Sequence, residues 1–154
     1  MSELAAGDPA DVTVENALRK ARSVRAAAAE AVLGCDTVVS LEGEIYGKPA
    51  EEEQARSTLQ RLSGKTHEVV SGLALLLEGE ERTVVARTDV SFRVLDESML
   101  DWYVGLGEWR ERAGGYAIQG AGAALVRTVS GDYENVVGLP LTSLLDIYPE
   151  LLQR

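Results

Sequence analysis

Two residue types that support catalysis or cross-linking are scarce in this sequence: it has one cysteine and one histidine among 154 residues. A single cysteine cannot form an internal disulfide, and redox chemistry is therefore not expected. Because no histidine or second cysteine is near it in sequence, we interpret Cys35 as a small core residue and not a reactive thiol. The histidine, His67, has no identifiable nucleophile for a catalytic triad, which favours a structural role or a place beside a substrate.

Long apolar runs are also missing. No run approaches the roughly 20 residues that a helix needs to cross a bilayer. The acidic start of the chain does not resemble the basic start of a signal peptide. We therefore expect a cytoplasmic protein that does not bind a membrane.

Positive charge is in deficit, with 15 Lys and Arg against 25 Asp and Glu and a net charge of −10. Nonspecific binding to DNA or RNA requires a basic face that displaces counterions, so the composition argues against a nucleic-acid polymer as partner. A small anionic substrate remains compatible with this charge. A divalent cation can join its phosphates to a carboxylate while a few lysines act locally.

The length and the hydrophobic content of 45% are those of a single domain over residues 1–154. Residues 1–12 contain turn formers and few apolar side chains, which predicts a partly ordered, flexible tail. The remaining apolar spacing predicts alternating helices and strands. Predicted helices cover residues 14–31 with Thr13 as N-cap, a segment from Pro49 to Gly64, a segment from Asp96 or Ser98, and a segment from Pro140. Predicted strands cover residues 32–39, 44–46, 66–77, 83–95 and 124–129, and Val94 is assigned to the packed side of its strand.

Asp36 interrupts an apolar, β-branched strand and is the first candidate site residue. A carboxylate is costly to bury without a partner, so Asp36 must reach water, a cation or a metal at the edge of the strand. Its neighbour Thr37 presents a hydroxyl on the opposite side of the pleat. We interpret this strand as one wall of an active site.

Two lysines are candidate partners for an anion. Lys48 precedes Pro49, and a helix starting there favours an anion at its N-terminus. A tight hairpin brings this lysine close to Asp36. Lys20 lies at the border of the apolar stripe of the first helix, where two interpretations stay open: a lysine that snorkels to solvent, or a cation that points into the same cleft as Asp36.

An unusual glycine-rich stretch covers residues 107–122, and its part from Ala113 to Gly122, called the glycine-rich segment below, contains Gln119. Its glycines permit turns and close approach of the backbone. The Gln119 amide offers both a donor and an acceptor, which suits recognition of an amide-like edge. A glycine-rich loop alone is a weak indication of a binding site.

Taken in order, these motifs resemble the Maf family of nucleoside triphosphate pyrophosphatases, and the resemblance covers nearly the whole chain. The matching segments are Lys20-Ala21, Gly34-Cys-Asp-Thr-Val-Val39, Gly47-Lys-Pro49, Leu62-Ser-Gly64 with Thr66-His67, Ala113-Gly-Gly-Tyr-Ala-Ile-Gln-Gly120, Gly131-Asp-Tyr, and Asn135-Val-Val-Gly-Leu-Pro140. The glycine-rich segment resembles the subgroup that acts on dTTP and UTP. The resemblance implies an α/β fold with a long mixed sheet, flanked by helices, around a central cleft.

The resemblance also implies roles for particular residues. Asp36 corresponds to the proton acceptor that activates water, with Mg²⁺ or Mn²⁺ held nearby, and it is therefore also the candidate metal ligand. Thr37 and Gln119 correspond to positions associated with substrate choice, and Lys48 and Lys20 to lysines that line the nucleotide site. Water attacks the α-phosphorus and gives the nucleoside monophosphate and pyrophosphate. The family commonly forms homodimers.

One departure from the family concerns the N-terminal segment. Family members start with a strand and loop reading roughly Leu-Ala-Ser-x-Ser-Pro-Arg-Arg, whose serine and arginines grip the phosphates. We find no Ser-x-Arg-Arg in this sequence and expect the first strand of the family to be missing, which would leave an open sheet edge. Either the start of the sequence is misassigned or truncated, or the protein is Maf-like with impaired catalysis. Three hypotheses on function follow: a dTTP/UTP pyrophosphatase; a nucleotide-binding or regulatory protein without turnover, linked to septum formation; or a structural α/β domain without a ligand.

Overall fold

The computed structural model of the protein describes residues 6–24 and 31–153. Its helices are α1 (Pro9–Val24), α2 (Glu52–Leu62), α3 (Glu97–Gly105), α4 (Tyr133–Val137) and α5 (Leu141–Ile147), with 3₁₀ turns at Ala113–Gly115, Ala121–Leu125 and Pro149–Leu152. Its strands are β1 (Val32–Leu41), β2 (Glu44–Tyr46), β3 (Thr66–Leu77), β4 (Glu80–Phe92) and β5 (Val126–Ser130).

The strands form a five-stranded sheet in the order β2-β1-β3-β4-β5. This arrangement confirms the predicted α/β architecture. All described strand pairs are antiparallel, whereas a mixed sheet was predicted. The physical reason is that β1–β2 and β3–β4 are hairpins joined by tight turns, and none of the remaining connections returns a strand parallel to its neighbour.

One face of the sheet is covered by α1, whose backbone approaches the strands closely at two glycines. A Cβ atom at Gly34 would overlap the carbonyl oxygen of Ala17, and a Cβ atom at Gly72 would overlap the backbone of Thr13. Asp36 is paired with Gly72 in the β1–β3 register and lies on this same face. The two glycines therefore set how close α1 comes to the Asp36 side chain.

The opposite face carries the main apolar core. Its centre is formed by buried side chains from the sheet, from α2 and α3, and from the segment that follows α3. Phe92 and Tyr116 contact each other edge to face at 4.8 Å between ring centroids, and both contact His67. The glycine-rich segment is thus anchored in this core by Tyr116 and Ile118, which are 5% exposed.

The start of α1 differs from the prediction. The helix begins at Pro9 within the predicted tail, and the Asp8 carboxylate accepts a hydrogen bond from Asp11 N at 3.3 Å. This is the pattern of an N-cap followed by proline at the first helical position. Thr13, predicted as the N-cap, is fully buried inside the helix, and its hydroxyl donates to Pro9 O at 2.8 Å. The predicted continuation of this helix through residues 25–30, like tail residues 1–5, lies outside the described residues.

Two further local predictions are wrong. Pro49 does not open α2, because Glu51 is the N-cap and the helix begins at Glu52. Val94 is 75% exposed instead of packed, because β4 ends at Phe92 and the alternation of the strand does not continue beyond it. The predicted start of α3 is confirmed, since Asp96 is the N-cap and its carboxylate accepts from Met99 N at 2.9 Å.

Helices long and apolar enough to span a membrane do not occur in residues 6–24 and 31–153.

Candidate functional site

A cavity of about 220 Å³ lies beside β1, and all the residues predicted for the site line it. These residues are Lys20, Asp36, Thr37, Lys48 and Gln119. They come from α1, from β1, from the segment after β2, and from the glycine-rich segment. Folding therefore brings together residues that are separated by up to about a hundred positions in the sequence.

The position of the cavity follows from the pairing of β1. This strand pairs with β3 from Val32 to Ser40, but with β2 only from Val39 to Leu41. Across the described part of the chain, no strand occupies the outer edge of residues 32–38. Side chains from both faces of β1 therefore reach the cavity around this edge: Asp36 from the face under α1, and Thr37 from the opposite face.

Asp36 is 6% exposed, and both of its carboxylate oxygens are engaged by α1. Lys20 Nζ lies 2.9 Å from Oδ1, and Asn16 Nδ2 donates to Oδ2 at 3.0 Å. Positions four apart lie on the same face of a helix, which is why one helix supplies both donors. Of the two interpretations of Lys20, the one that points it toward Asp36 is confirmed.

Asn16 was missed from the sequence. It is 1% exposed and stands one helical turn before Lys20. A polar residue at apolar-stripe spacing next to a candidate lysine was a usable signal, because buried amides in helices need a specific partner. Predicting that partner required knowing that α1 packs over Asp36.

The Thr37 hydroxyl is fixed by a neighbouring strand. Its Oγ1 lies 2.7 Å from Ser71 Oγ, within hydrogen-bond distance. Thr37 and Ser71 are directly opposite in the β1–β3 register. The cross-strand pair orients the hydroxyl at the cavity wall.

Lys48 is exposed at the cavity, but the reason predicted for its position is wrong. Because α2 begins at Glu52, Lys48 does not lie at a helix N-terminus. Its segment is instead held by Gly114 N, which donates to Gly47 O at 3.1 Å. Gly114 has φ of 71°, and a Cβ atom there would lie 2.7 Å from Val39 Cγ2, so this contact requires glycine.

Gln119 is exposed at the cavity, and two charged residues that the sequence analysis missed line the same wall. Arg112 is half-buried and adds a third basic side chain to Lys20 and Lys48. Glu111 has φ of 61°, a left-handed conformation that is unfavourable for a residue with a side chain. Backbone strain of this kind is not readable from composition or spacing.

His67 is buried behind the cavity and not in it. Its Nε2 lies 2.7 Å from the hydroxyl of Tyr116, which lines the cavity, and its exposure is 1%. Burial lowers the pKa of His67 to about 4, so the imidazole is neutral at physiological pH. The residue therefore supports a cavity-lining side chain, in agreement with the predicted structural role.

Cys35 was predicted to be a core residue, whereas it is only half-buried and lines the cavity. Its thiol donates to Gly138 O at 3.3 Å. Burial raises the pKa of this thiol, which disfavours the reactive thiolate. The structure thus corrects its location and agrees with the expectation that it is unreactive.

A metal ion at the cavity would depend on ligands that the substrate supplies. In the described ranges, no three His, Cys, Asp or Glu side chains are placed to hold a metal ion together. Mg²⁺ bound to a nucleotide needs only one or two protein carboxylates, because phosphates and water supply its other ligands. At Asp36, a carboxylate oxygen would reach such a substrate-borne ion only if Lys20 or Asn16 released it.

A family model and several known proteins are similar to this chain in sequence. The sequence model of a family described as Maf-like protein matches residues 2–151. A protein of Pyrococcus furiosus is 42% identical over 146 residues, which cover 91% of this chain and 74% of the relative. A protein of Symbiobacterium thermophilum is 47% identical, with 88% and 71% covered, and one of Deinococcus radiodurans is 44% identical, with 90% and 71% covered. Each of these relatives is named dTTP/UTP pyrophosphatase.

Proposed function

Because the chain belongs to the Maf-like protein family, we propose that it is a nucleoside triphosphate pyrophosphatase that hydrolyses dTTP and UTP. The substrates are those named for its relatives at 42–47% identity. The observation that carries the proposal is the convergence of Asp36, two lysines and Gln119 on one cavity. Such a cavity offers a carboxylate that can accept a proton, cations that can bind phosphates, and an amide that can bind a nucleobase.

The cations account for binding of a polyanion by a protein of net charge −10. Lys20, Lys48 and Arg112 line the cavity and supply local positive charge where the triphosphate binds. Phosphoryl transfer depends mainly on positioning and on stabilising charge on the phosphate oxygens. These three side chains therefore bind the substrate and stabilise the pyrophosphate leaving group.

Asp36 is the group that accepts a proton. Water attacks the α-phosphorus, a new phosphorus–oxygen bond forms, and the bond from the α-phosphorus to the bridging oxygen breaks. The proton of the attacking water passes to the Asp36 carboxylate, and the products are the nucleoside monophosphate and pyrophosphate. Lys20 and Asn16 hold the carboxylate in place while it acts.

A divalent cation, Mg²⁺ or Mn²⁺, would be held by Asp36 together with the substrate. When bound, it neutralises negative charge on the phosphates. Selection of the nucleobase is assigned to Gln119 and Thr37. An amide and a hydroxyl together can distinguish the hydrogen-bond donors and acceptors on the edge of a pyrimidine. Thr37 is held in orientation for this by Ser71.

The test is hydrolysis of UTP and dTTP in ¹⁸O-labelled water with Mg²⁺ or Mn²⁺. We expect one labelled oxygen in the monophosphate and none in pyrophosphate, because the α-phosphorus is attacked. The Asp36→Asn variant keeps the shape of the side chain but cannot accept the proton, so kcat should fall by about a thousandfold. Asp146→Asn, which changes an exposed carboxylate on α5, is the matched control.

The outcomes separate the hypotheses. Label in the pyrophosphate would contradict attack at the α-phosphorus, and an unchanged rate in Asp36→Asn would remove Asp36 from catalysis. Stabilisation by UTP without any turnover would favour a nucleotide-binding protein with impaired catalysis. A protein that neither binds nor hydrolyses the nucleotides would refute the proposal.

The homodimer is also part of the proposal. Helix α3 exposes Trp102, and Leu106 follows one turn later; they are 46% and 52% exposed. Exposed apolar side chains on one helix face are compatible with a subunit interface. Sedimentation velocity at micromolar concentration tests it, and a monomer at all concentrations would contradict it.

A further inference from the structure

The Glu108 carboxylate lies beneath the glycine-rich segment and accepts three hydrogen bonds. Its Oε1 accepts from the Tyr103 hydroxyl at 2.6 Å and from Gly122 N at 2.9 Å. Its Oε2 accepts from Ala121 N at 3.0 Å. Glu108 does not line the cavity itself, whereas Gln119, two positions before Ala121, does.

Tyr103 extends this network to the other end of the same segment. Its side chain is fully buried, and its hydroxyl accepts a hydrogen bond from Ala117 N at 2.9 Å while it donates to Glu108. The backbone is therefore tied at Ala117 through Tyr103 and at Ala121 and Gly122 through Glu108. Gln119 lies between these two ties.

The segment also rests directly on the carboxylate. A Cβ atom at Gly120 would lie 2.5 Å from Glu108 Oε2, so a side chain at this position would displace the carboxylate from its present contact. Within the segment, Gly120 N donates to Ala117 O at 3.1 Å and closes a turn. The turn that presents Gln119 is thus built around Glu108.

The chemistry of Glu108 suits an anchor and not a proton carrier. Burial by itself raises the pKa of its carboxyl, but the hydrogen bonds from Tyr103, Ala121 N and Gly122 N outweigh burial, so the pKa lies below its usual value. The group is therefore ionised at physiological pH. Hydrogen bonds to an ionised acceptor are stronger than those to a neutral one.

We propose that Glu108 is a positioning residue for base selection: it fixes residues 117–122 so that Gln119 meets the pyrimidine edge in one orientation. This inference rests on the proposed function. A glutamine at this position has one oxygen instead of two. Whichever way its amide is turned, an NH₂ group then faces at least one backbone N–H of Ala121 or Gly122, and that hydrogen bond is lost.

The test compares Glu108→Gln with Glu78→Gln, which makes the same chemical change at an exposed residue between β3 and β4. Steady-state kinetics are measured for UTP, dTTP, CTP and GTP. We expect Glu108→Gln to raise KM for UTP and dTTP about tenfold, to change kcat less than about threefold, and to lower the preference for UTP over CTP. Glu78→Gln should match the wild type in all three.

A second measurement tests how firmly residues 117–122 are held when no nucleotide is present. Amide hydrogen exchange of Ala117, Ala121 and Gly122 should become faster in Glu108→Gln, while exchange in β3 stays at the wild-type rate. Tyr103→Phe removes the hydroxyl that joins the two ties and should accelerate exchange at the same amides. The effects of the two variants should not be additive in the double variant, because they break one network.

Failure of the positioning role of Glu108 can be distinguished from failure of the proposed function. If the wild type hydrolyses UTP and Glu108→Gln shows unchanged selectivity or unchanged exchange, the positioning role is refuted and the proposed function stands. If kcat falls as much as kcat/KM, Glu108 acts in the chemical step and positioning is again refuted. If the wild type neither binds nor hydrolyses these nucleotides, the proposed function fails, and the assignment of base selection to this segment fails with it.

Discussion

Lys20 and Asp36 form an ion pair across the interface between α1 and the outer edge of β1, with Nζ 2.9 Å from Oδ1. The Asp36 side chain is 6% exposed and the Lys20 side chain 28%, so the carboxylate is shielded from solvent while the lysine remains accessible from the cavity. A triphosphate entering the cavity therefore encounters the ammonium group. Under the proposed function, this one contact couples binding of the triphosphate to the activation of water.

Lys20→Met tests that coupling. The variant keeps the aliphatic stem, removes the charge, and leaves Asp36 with Asn16 as its donor on α1. We expect the free energy of unfolding to fall by about 1–2 kcal/mol, because a mostly buried carboxylate loses a charged partner that is itself partly in solvent. We expect kcat/KM for UTP to fall at least about tenfold.

Urea unfolding and steady-state kinetics measure the two effects. Lys65→Met is the control, since Lys65 is exposed and its ion pair with Glu42, at 3.5 Å, is remote from the cavity. Wild-type kcat/KM in Lys20→Met would contradict the role of Lys20 in the nucleotide site.

Gln119→Glu should change which pyrimidine nucleotide the protein prefers as substrate. The substitution replaces an NH₂ donor by an acceptor and so reverses one contact to the pyrimidine edge. Because Gln119 is exposed, we expect the change in selectivity to be about 1 kcal/mol, or roughly fivefold. The measurement is the ratio of kcat/KM for UTP to that for CTP, and an unaltered ratio would exclude Gln119 from base recognition.

Gly72→Ala should separate α1 from the sheet. The new methyl group would overlap the backbone of Thr13, and neither the helix backbone nor the central strand β3 can move without loss of packing. We expect roughly 3 kcal/mol of destabilisation, at the upper end for overpacking, together with reduced activity because Asn16 and Lys20 shift away from Asp36.

Gly105→Ala provides the comparison for that variant. Gly105 is the last residue of α3, and a Cβ atom there would meet open space. Its stability and activity should remain at or above those of the wild type. Equal stabilities for the two variants would show that α1 does not depend on the close approach at Gly72.

The pH dependence of stability should contain a contribution from His67. The unfolded chain takes up a proton near the ordinary pKa of 6.5, whereas burial lowers the pKa in the folded protein to about 4. Above pH 6.5 the imidazole is neutral in both states. As the pH falls from 6.5 to 4, the unfolded state alone gains a proton, so stability decreases over this interval.

At pH 5 the loss relative to pH 7 should be about 2 kcal/mol from this residue. Urea unfolding at both pH values, in the wild type and in His67→Gln, isolates the contribution from that of the carboxylates. The variant should lose less stability on acidification than the wild type, and an equal loss would contradict a depressed pKa for His67.

Much of the site could be predicted from the sequence because its members belong to recognisable local motifs. Asp36 stood out as a carboxylate in an apolar strand, and Gln119 as an amide among glycines. The residues that support them could not be predicted in the same way. Asn16, Ser71 and Glu108 act on partners 20, 34 and 13 or 14 positions away in the chain. Their roles depend on which elements pack together, and periodicity within one element does not contain that information.

The errors in the fold have the same origin. Thr13 is a good N-cap residue, and tertiary packing places it inside α1 instead, because Asp8 and Pro9 start the helix earlier. Pro49 suits the first turn of a helix, yet α2 begins only at Glu52, and the carbonyl of Gly47 is bonded to the glycine-rich segment instead. In both cases a local preference was correct in kind and displaced by a few residues.

The thiol of Cys35 gives the cavity a built-in chemical reporter. The chain has one cysteine, and this cysteine lines the cavity beside Asp36. Because burial raises the pKa of this thiol, it reacts slowly at neutral pH. A thiol-directed label that does react, whether a fluorophore, a ¹⁹F probe or an alkylating reagent, marks the cavity and no other part of the protein. Occupancy of the cavity by a nucleotide can be followed as slower alkylation, without turnover and without an engineered attachment point.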